Sequence, residues 1–200
     1  MSVKLGEVHD DPDKGVWNYR YNAYGELVWQ KDANGQEVTM EYDQLGRLKK
    51  RYDILAPNPD PSLYPNDLWQ ALNDGETTWQ YDGAIMGIGK LASVSNNSTG
   101  YSRSVDYDAY GRTKNVTSTI LAEQYVTTNT YDDYGRLSTI QYPATPTTGG
   151  GTSRLEVQQH YDPVDGYLTK LTNTATSAVY WEGTRMNARG QVEAFTISQW

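Results

Sequence analysis

Histidines and carboxylates are the residues of this 200-residue chain that could take part in acid–base chemistry. There are two histidines, His9 and His160, and neither lies in a nucleophile motif or in a His-Glu-x-x-His zinc motif. Many carboxylates begin predicted turns, where capping of the backbone explains them. The Asp-rich segment from His9 to Asp13 lacks the spacing of a calcium-binding loop. We therefore expect no catalytic, cofactor-binding or metal-binding residues and no enzymatic activity.

A second group of charged residues consists of arginines that follow an aspartate at a distance of four. In the segment from Tyr131 to Leu137, Asp132 is predicted to cap a type I turn with a bulge, and Gly135 to close it in the left-handed conformation. The flanking residues are then paired strands, in which Asp132 faces Arg136 and Tyr131 faces Leu137. This register predicts an ion pair within the turn, rather than a bound anion, for Arg47, Arg112 and Arg136.

The same heptapeptide recurs along the whole chain. Its seven copies begin near residues 21, 42, 81, 107, 131, 161 and 186. This spacing predicts a single array over residues 1–200, in which each unit is one hairpin packed against its neighbours. The predicted structural residues of the motif are Tyr21, Gly25, Leu27, Tyr42, Asp43, Gly46, Arg47, Leu48, Tyr81, Asp82, Gly89, Leu91, Tyr107, Asp108, Gly111, Arg112, Tyr131, Asp132, Gly135, Arg136, Leu137, Tyr161, Asp162, Gly166, Leu168 and Gly190.

The register of these hairpins can be extended beyond the motif. One pair further from the turn, opposite charges meet three times, and the predicted pairs are Glu41 with Lys49, Asp106 with Lys114, and Arg185 with Glu193. The predicted fold is therefore all-β: antiparallel hairpins that form a long, twisted and spiralling sheet, as an open segment of a shell.

The segments between the copies depart from this pattern in several places. Residues 1–14 are polar and predict a turn or loose end. A Pro-rich excursion spans residues 53–73, and its part from Asn66 to Asn73 fits either a short helical turn or a strand. The six residues from Gly83 to Ile88 lengthen the third motif turn, which should protrude or fold over an edge. Residues 144–153 predict a flexible loop.

Composition narrows the possible partners. A net charge of −8 argues against nucleic acid. The chain has no cysteine and no apolar run long enough to span a bilayer, and its N-terminus lacks the apolar region of a signal peptide. With 17 tyrosines, 6 tryptophans and one phenylalanine, it should form sheet faces that are wet on at least one side, without a thick core. The alternation from Phe195 to Ile197 suggests a segment of a longer protein.

These copies resemble the Rhs or YD-repeat family, whose consensus is Tyr-Asp-x-x-Gly-Arg-Leu. The segments from Tyr42 to Leu48 and from Tyr131 to Leu137 match it fully. The family includes shell components of Tc toxins, bacterial polymorphic toxins and teneurins. The resemblance implies a wall that encloses or displays a C-terminal toxin or effector domain, in a secreted or bacterial cell-surface protein. The implied partners are the remaining repeats and that domain. Asp162 and Pro163 form only one Asp-Pro pair, so self-cleavage is not implied.

A second hypothesis is a binding module. Tryptophan and tyrosine rings on sheet faces can bind sugars or a protein partner, although the same rings are also good strand formers. The tryptophans that would serve are Trp17, Trp29, Trp69, Trp79 and Trp181.

Overall fold

Antiparallel hairpins make up the chain in a computed structural model that describes residues 4–54, 73–148 and 150–198. Tyr, Trp, Thr and Val alternate with polar residues along the strands, because these side chains suit a half-buried pleated surface. The strands are β1 Lys4–Asp11, β2 Gly15–Tyr21, β3 Leu27–Lys31, β4 Glu37–Tyr42, β5 Leu48–Ile54, β6 Asn73–Tyr81, β7 Leu91–Asn96, β8 Ser102–Tyr107, β9 Thr113–Ile120, β10 Glu123–Tyr131, β11 Leu137–Pro146, β12 Thr152–Tyr161, β13 Leu168–Asn173, β14 Val179–Met186 and β15 Val192–Ile197.

The strands follow one another in one sheet in the same order as in the chain, from β1 to β15. Because the order does not return to β1, the sheet is open, and the all-β hairpin fold predicted from the sequence is confirmed. Contacts divide the molecule into two compact units. One runs to Ser104 and includes residues 119–123, and the other comprises residues 105–118 and those from Gln124 onward. Each unit contains its own run of motif hairpins.

Burial is shallow throughout the described residues. Val105, which is 7% exposed, is the one buried apolar side chain among them. Most strand positions, including the motif tyrosines and the tryptophans, are half-buried. The hairpins are thus held by half-buried rings and by polar contacts, as the excess of Tyr and Trp over Phe predicts.

The motif turns have the predicted hydrogen bonds. In the second copy, Gly46 N donates to Asp43 O at 3.1 Å, and Gly46 has a φ of +75°. Asp43 Oδ1 accepts the backbone N–H groups of Leu45 and Arg47 at 2.9 and 3.0 Å. Because the side chain satisfies two backbone donors and glycine tolerates a positive φ, this sequence stabilises the turn locally.

A further β-bulge, beyond the turn itself, lies in six of the motif hairpins and corrects the predicted register. Tyr42 pairs with Leu48 as predicted, but Glu41 then pairs with Lys50, so that Lys49 is the extra residue of the bulge. The predicted pairing of Glu41 with Lys49 is therefore wrong. Five other motif hairpins have the same one-residue shift: those at Tyr21, Tyr81, Tyr131, Tyr161 and Met186.

The two other predicted charge pairs have different outcomes. Asp106 accepts a hydrogen bond from Asn115 Nδ2 at 3.4 Å. It forms this bond in place of the predicted ion pair with Lys114. Arg185 pairs with Ala194 in the backbone register, yet its Nε still lies 3.0 Å from Glu193 Oε2, because two long side chains can reach across the bulge. The ion pair of Arg185 with Glu193 therefore forms, although the predicted register, in which these two residues face each other, is wrong.

The N-terminal segment is more ordered than predicted. Lys4 to Asp11 form β1, which pairs with β2, and the predicted loose end is reduced to the turn from Asp11 to Gly15. Asp11 Oδ1 caps this turn by accepting the N–H groups of Asp13 and Lys14. Backbone hydrogen bonds to β2 suffice for this pairing, so the exposed polar side chains of β1 gave no alternating apolar signal.

Turns at the other ends of the strands, the connecting turns, join one motif hairpin to the next. The loop predicted over residues 144–153 is shorter, because β11 continues to Pro146 and β12 resumes at Thr152. The register of β11 shifts near Pro143, and Arg154 binds backbone carbonyl groups at this place. Its Nε donates to Tyr142 O at 2.9 Å and its Nη2 to Val126 O at 2.7 Å. The connecting turns at residues 32–35, 97–101, 147–151 and 174–178 differ in length and sequence.

Residues 55–72 lie outside the described part of the chain, so most of the predicted Pro-rich excursion, the alternatives for 66–72 and Trp69 remain predictions. At the borders of the predicted excursion, Asp53 and Ile54 lie in β5 and Asn73 lies in β6. The predicted bounds of 53–73 are therefore too wide. In the long third motif turn, Ile85 and Ile88 are 86% and 87% exposed. This turn therefore protrudes, which is one of the two predicted alternatives.

Candidate functional site: the motif-turn ladder

Wherever the motif has both its aspartate and its arginine, the two residues pair within their own turn. A guanidinium nitrogen lies 2.7 Å from the aspartate Oδ2 in three turns, and the pairs are Arg47–Asp43, Arg112–Asp108 and Arg136–Asp132. The same aspartates use Oδ1 to accept the backbone N–H groups of the turn. One carboxylate thus fixes both the backbone of the turn and the direction of the arginine.

Each of these arginines also reaches the tyrosine of the following motif hairpin. The guanidinium carbon lies 4.3 Å from the ring centre of Tyr81 for Arg47, 4.2 Å from Tyr131 for Arg112, and 4.3 Å from Tyr161 for Arg136. At this distance the cation is attracted to the face of the ring. The arginine therefore connects two hairpins that are distant in sequence.

The hydroxyl groups of the motif tyrosines make a second connection. Four of them donate to a backbone carbonyl at the start of the preceding return strand: Tyr42 to Leu27 at 2.8 Å, Tyr81 to Leu48 at 3.0 Å, Tyr131 to Thr113 at 2.7 Å and Tyr161 to Leu137 at 2.8 Å. We call these repeated arginine–ring and hydroxyl–carbonyl contacts the motif-turn ladder. They are the most regular polar constellation of the described chain.

Two turns vary the ladder. In the long third turn, Asp82 accepts both terminal nitrogens of Arg47, at 3.2 and 2.7 Å, so this arginine bridges two turns. In the sixth hairpin, Tyr167 stands where the motif has arginine, and its ring lies against Gly190 of the seventh turn. The seventh hairpin has Met186 in place of the motif tyrosine. In the contact between the sixth and seventh hairpins, the aromatic ring therefore comes from Tyr167 at the arginine position and not from the tyrosine position.

Electrostatics within the ladder shift several pKa values. Hydrogen bonds from the backbone N–H of Arg47 and from its side chain hold the pKa of Asp43 below its usual range. The pKa of Asp82 is lowered by the side chain of Arg47, and that of Asp162 by the backbone N–H groups of Asp165 and Val164. Burial alone would raise the pKa of the remaining two aspartates, but hydrogen bonds from the motif arginines outweigh it and lower the pKa of Asp108 and Asp132.

We expect these aspartates to make the protein sensitive to acid. Their pKa values are lower in the folded chain than the value of about 3.9 for the unfolded chain, so the unfolded chain binds more protons as the pH falls. The stabilisation is thus complete well above pH 4 and is lost as the pH falls below it through the folded pKa values. Urea unfolding between pH 7 and pH 3 measures this loss.

Asp132→Asn provides a matched variant for this experiment. Asparagine keeps the capping oxygen but cannot titrate, so the variant should lose less stability than the native chain between pH 5 and pH 3. A free energy of unfolding that stays constant over this range in the native chain would contradict the prediction.

Both histidines, for which the sequence predicts no site, lie in the described part of the chain. His160 Nε2 lies 2.7 Å from Thr172 Oγ1 as part of a strand, and His9 is exposed opposite Trp17. Residues 4–54, 73–148 and 150–198 contain no group of three or more His, Asp or Glu side chains that could hold a metal ion. No helix among them is long and apolar enough to cross a bilayer.

The tryptophans within the described ranges are half-buried: Trp17, Trp29, Trp79 and Trp181. Trp29 Nε1 donates to Glu37 Oε2 at 3.0 Å, and the guanidinium of Arg20 lies 4.4 Å from the ring centre of Trp29. The ring of Trp17 is stacked on Tyr19 at 6.2 Å. Binding of a glycan or protein through these aromatic faces stays a prediction.

Sequence reasoning found the pair within each turn but missed the contacts between turns. Arg47 and Tyr81 are far apart in the chain, and no local register connects them. The regular recurrence of Tyr and Arg in one motif was the available signal, since a residue type repeated in every hairpin can contact its counterpart in the next one.

No protein-family model matches the chain, and no curated protein matches it. Among solved structures, TcdB2-TccC3 without its hypervariable C-terminal region matches with 14% identity and a TM-score of 0.42, over 85% of this chain and 10% of that one. The Photorhabdus luminescens Tc holotoxin pore matches with 18% identity and a TM-score of 0.41, over 82% and 9%. A porin-like protein from Bacteroides uniformis matches with 12% identity and a TM-score of 0.37, over 86% and 93%. The chain spans about a tenth of the two Tc toxin chains.

Proposed function

We propose that this chain is a structural segment of a β-sheet wall of the Rhs or YD-repeat kind. In its parent protein this wall encloses or displays a C-terminal toxin or effector domain. The segment itself has no catalytic role, and its partners are further repeats and that domain. On this proposal the parent protein is secreted or displayed on a bacterial cell surface.

The observation that carries the proposal is the motif-turn ladder. The charged and hydroxyl groups that recur in the motif are engaged in contacts within the chain: Arg136, for example, binds Asp132 in its own turn and covers Tyr161 in the next. Groups used in this way hold adjacent hairpins in register rather than bind a substrate. Arrays whose units contact only their neighbours can be extended unit by unit, which suits the construction of a wall.

The motif supports the family assignment within this proposal. Tyr42 to Leu48 and Tyr131 to Leu137 carry the full consensus, and the structure gives each consensus residue a physical role. Asp43 and Gly46 form the turn, Arg47 and Tyr81 connect hairpins, and the Leu48 carbonyl accepts the tyrosine hydroxyl.

The coding sequence on both sides of this segment provides the test. We expect further copies of the motif, followed by a C-terminal domain of unrelated sequence. Limited proteolysis of the whole parent protein should then leave that domain protected in the native state and release it after the wall is unfolded. A parent protein without further repeats, or one whose C-terminal domain is cleaved as fast in the native state as after unfolding, would contradict the proposal.

A further inference from the structure

The first motif hairpin has an acid where the full motif has arginine. Glu26 occupies this position, and a Cβ atom added to Gly46 of the second turn would lie 2.8 Å from Glu26 Oε1. The pKa of Tyr42 is raised mainly by burial and, to a smaller extent, by the negative charge of Glu26. Tyr42 therefore has a carboxylate nearby at the step where Tyr81, Tyr131 and Tyr161 are covered by a guanidinium.

A groove of about 1010 Å³ lies at this place, between the first and second motif turns. We call it the Tyr42 groove, and its lining includes Tyr24, Glu26, Val28, Met40, Tyr42 and Leu45. Tyr24 and Leu45 are 85% and 75% exposed, so their apolar surfaces contribute little to folding and are accessible to a partner.

One oxygen of Glu26 is already engaged. Its Oε2 accepts a hydrogen bond from Asn22 Nδ2, which fixes the carboxylate, while Oε1 is directed towards the second turn. The groove thus combines an oriented acceptor, the ring of Tyr42 and an apolar rim. These three features are complementary to a side chain with a planar cation and apolar neighbours.

We propose that the Tyr42 groove binds an arginine side chain of a partner polypeptide. The guanidinium lies between the Glu26 carboxylate and the ring of Tyr42, and apolar residues beside the arginine contact Tyr24 and Leu45. This inference goes beyond the wall function, because it assigns a partner surface to one hairpin step. It does not depend on the identity of the parent protein.

The chain itself provides the reason for choosing arginine. At three steps of the ladder, a guanidinium binds a carboxylate at 2.7 Å and covers a tyrosine ring at 4.2 to 4.3 Å. A planar guanidinium can donate along its edge while its face lies on a ring, whereas a lysine ammonium is a compact, strongly hydrated point charge. The net charge of −8 further favours a cationic partner.

The direct test is titration of the isotope-labelled protein with the capped tripeptide Leu-Arg-Leu, followed by NMR. We expect shifts of the amide signals of Tyr42, Leu45 and Gly46. The same peptide with citrulline in place of arginine keeps the shape but loses the charge, and should bind about tenfold more weakly or worse. A Leu-Lys-Leu peptide that binds as tightly as Leu-Arg-Leu would overturn the choice of arginine.

Glu26→Gln tests the carboxylate and should weaken binding of Leu-Arg-Leu about tenfold. Asp133→Asn makes the same change in net charge on an exposed residue of another turn, and should leave the affinity unchanged. Equal affinities of the native chain and the Glu26→Gln variant would overturn the proposal, as would a native chain that does not bind the peptide.

The double variant Asn22→Asp/Glu26→Arg gives the first turn the full motif. Its own arginine should cover Tyr42 as Arg47 covers Tyr81, so it should lose peptide binding while its thermal midpoint stays equal to or above that of the native chain. This variant decides the question even if Glu26→Gln does not fold. Peptide binding that survives in the folded double variant would overturn the proposal.

Discussion

Gly190→Ala is expected to lower the free energy of unfolding by roughly 2–5 kcal/mol, the sum of a left-handed backbone cost and an overpacking cost. Gly190 has a φ of +74°, which disfavours any side chain with a Cβ atom. The added methyl group would also meet the ring of Tyr167, which lies against this glycine. The ring and the turn cannot both keep their places.

Gly25→Ala is the matched control for this substitution. Gly25 has a φ of +83°, and a Cβ atom there would meet nothing within 4 Å, so only the backbone cost of roughly 1–2 kcal/mol remains. Chemical denaturation of both variants measures the difference. Truncation of the ring in Gly190→Ala/Tyr167→Ala should remove the additional loss relative to Tyr167→Ala alone. Equal losses for Gly190→Ala and Gly25→Ala would show that the contact with Tyr167 has no energetic weight.

Tyr161→Ala is expected to cost roughly 2–3 kcal/mol, somewhat less than the truncation of a fully buried aromatic residue. The ring of Tyr161 is half-buried under the guanidinium of Arg136, and its hydroxyl donates to Leu137 O at 2.8 Å. The substitution removes both connections between the fifth and sixth hairpins. Urea denaturation followed by circular dichroism measures the change.

Tyr161→Phe separates the two connections. It keeps the ring under Arg136 and removes only the hydroxyl, which should cost about 1 kcal/mol. Tyr134→Ala is a suitable second control, because Tyr134 is 85% exposed and its ring, 4.9 Å from the guanidinium carbon of Arg136, contacts that arginine within its own turn and not between hairpins. A Tyr161→Ala variant as stable as Tyr134→Ala would contradict the role of the ladder in holding the hairpins together.

The hairpins could be predicted because their information is local. An aspartate and a glycine at a fixed spacing determine the turn, and the pairing of Tyr42 with Leu48 then follows. The ion pair of Arg47 with Asp43 is also local, since the turn brings both residues to the same face. These features need only the few residues of one motif.

The bulge at Lys49 could not be predicted from the same residues. Lys49 and Lys50 follow each other in the chain, and either would complete a charge pair with Glu41, so the charge pattern could not distinguish the regular register from the bulged one. The strand β1 was missed for a different reason. Its pairing uses backbone groups, and its exposed polar side chains carry no periodic signal.

The contacts between hairpins depend on the register of whole strands. The replacement of Arg by Glu26 in the first turn and by Tyr167 in the sixth is visible in the sequence, but its meaning requires knowledge of which turn comes next in space. The order of the sheet shows that Glu26 lies against the second turn, where it replaces the arginine–ring contact. It also shows that Tyr167 supplies an aromatic ring to the contact with the seventh hairpin, in which Met186 replaces the motif tyrosine.

The separation of motif turns from connecting turns has a consequence for protein engineering. The ladder lies at the motif turns, whereas the described connecting turns at residues 32–35 and 174–178 take part in none of its contacts. A foreign peptide grafted into a connecting turn therefore adds mainly a loop-closure cost, which grows only slowly with its length. The array is thus suited to display unrelated sequences at one end of its hairpins while the other end preserves their alignment.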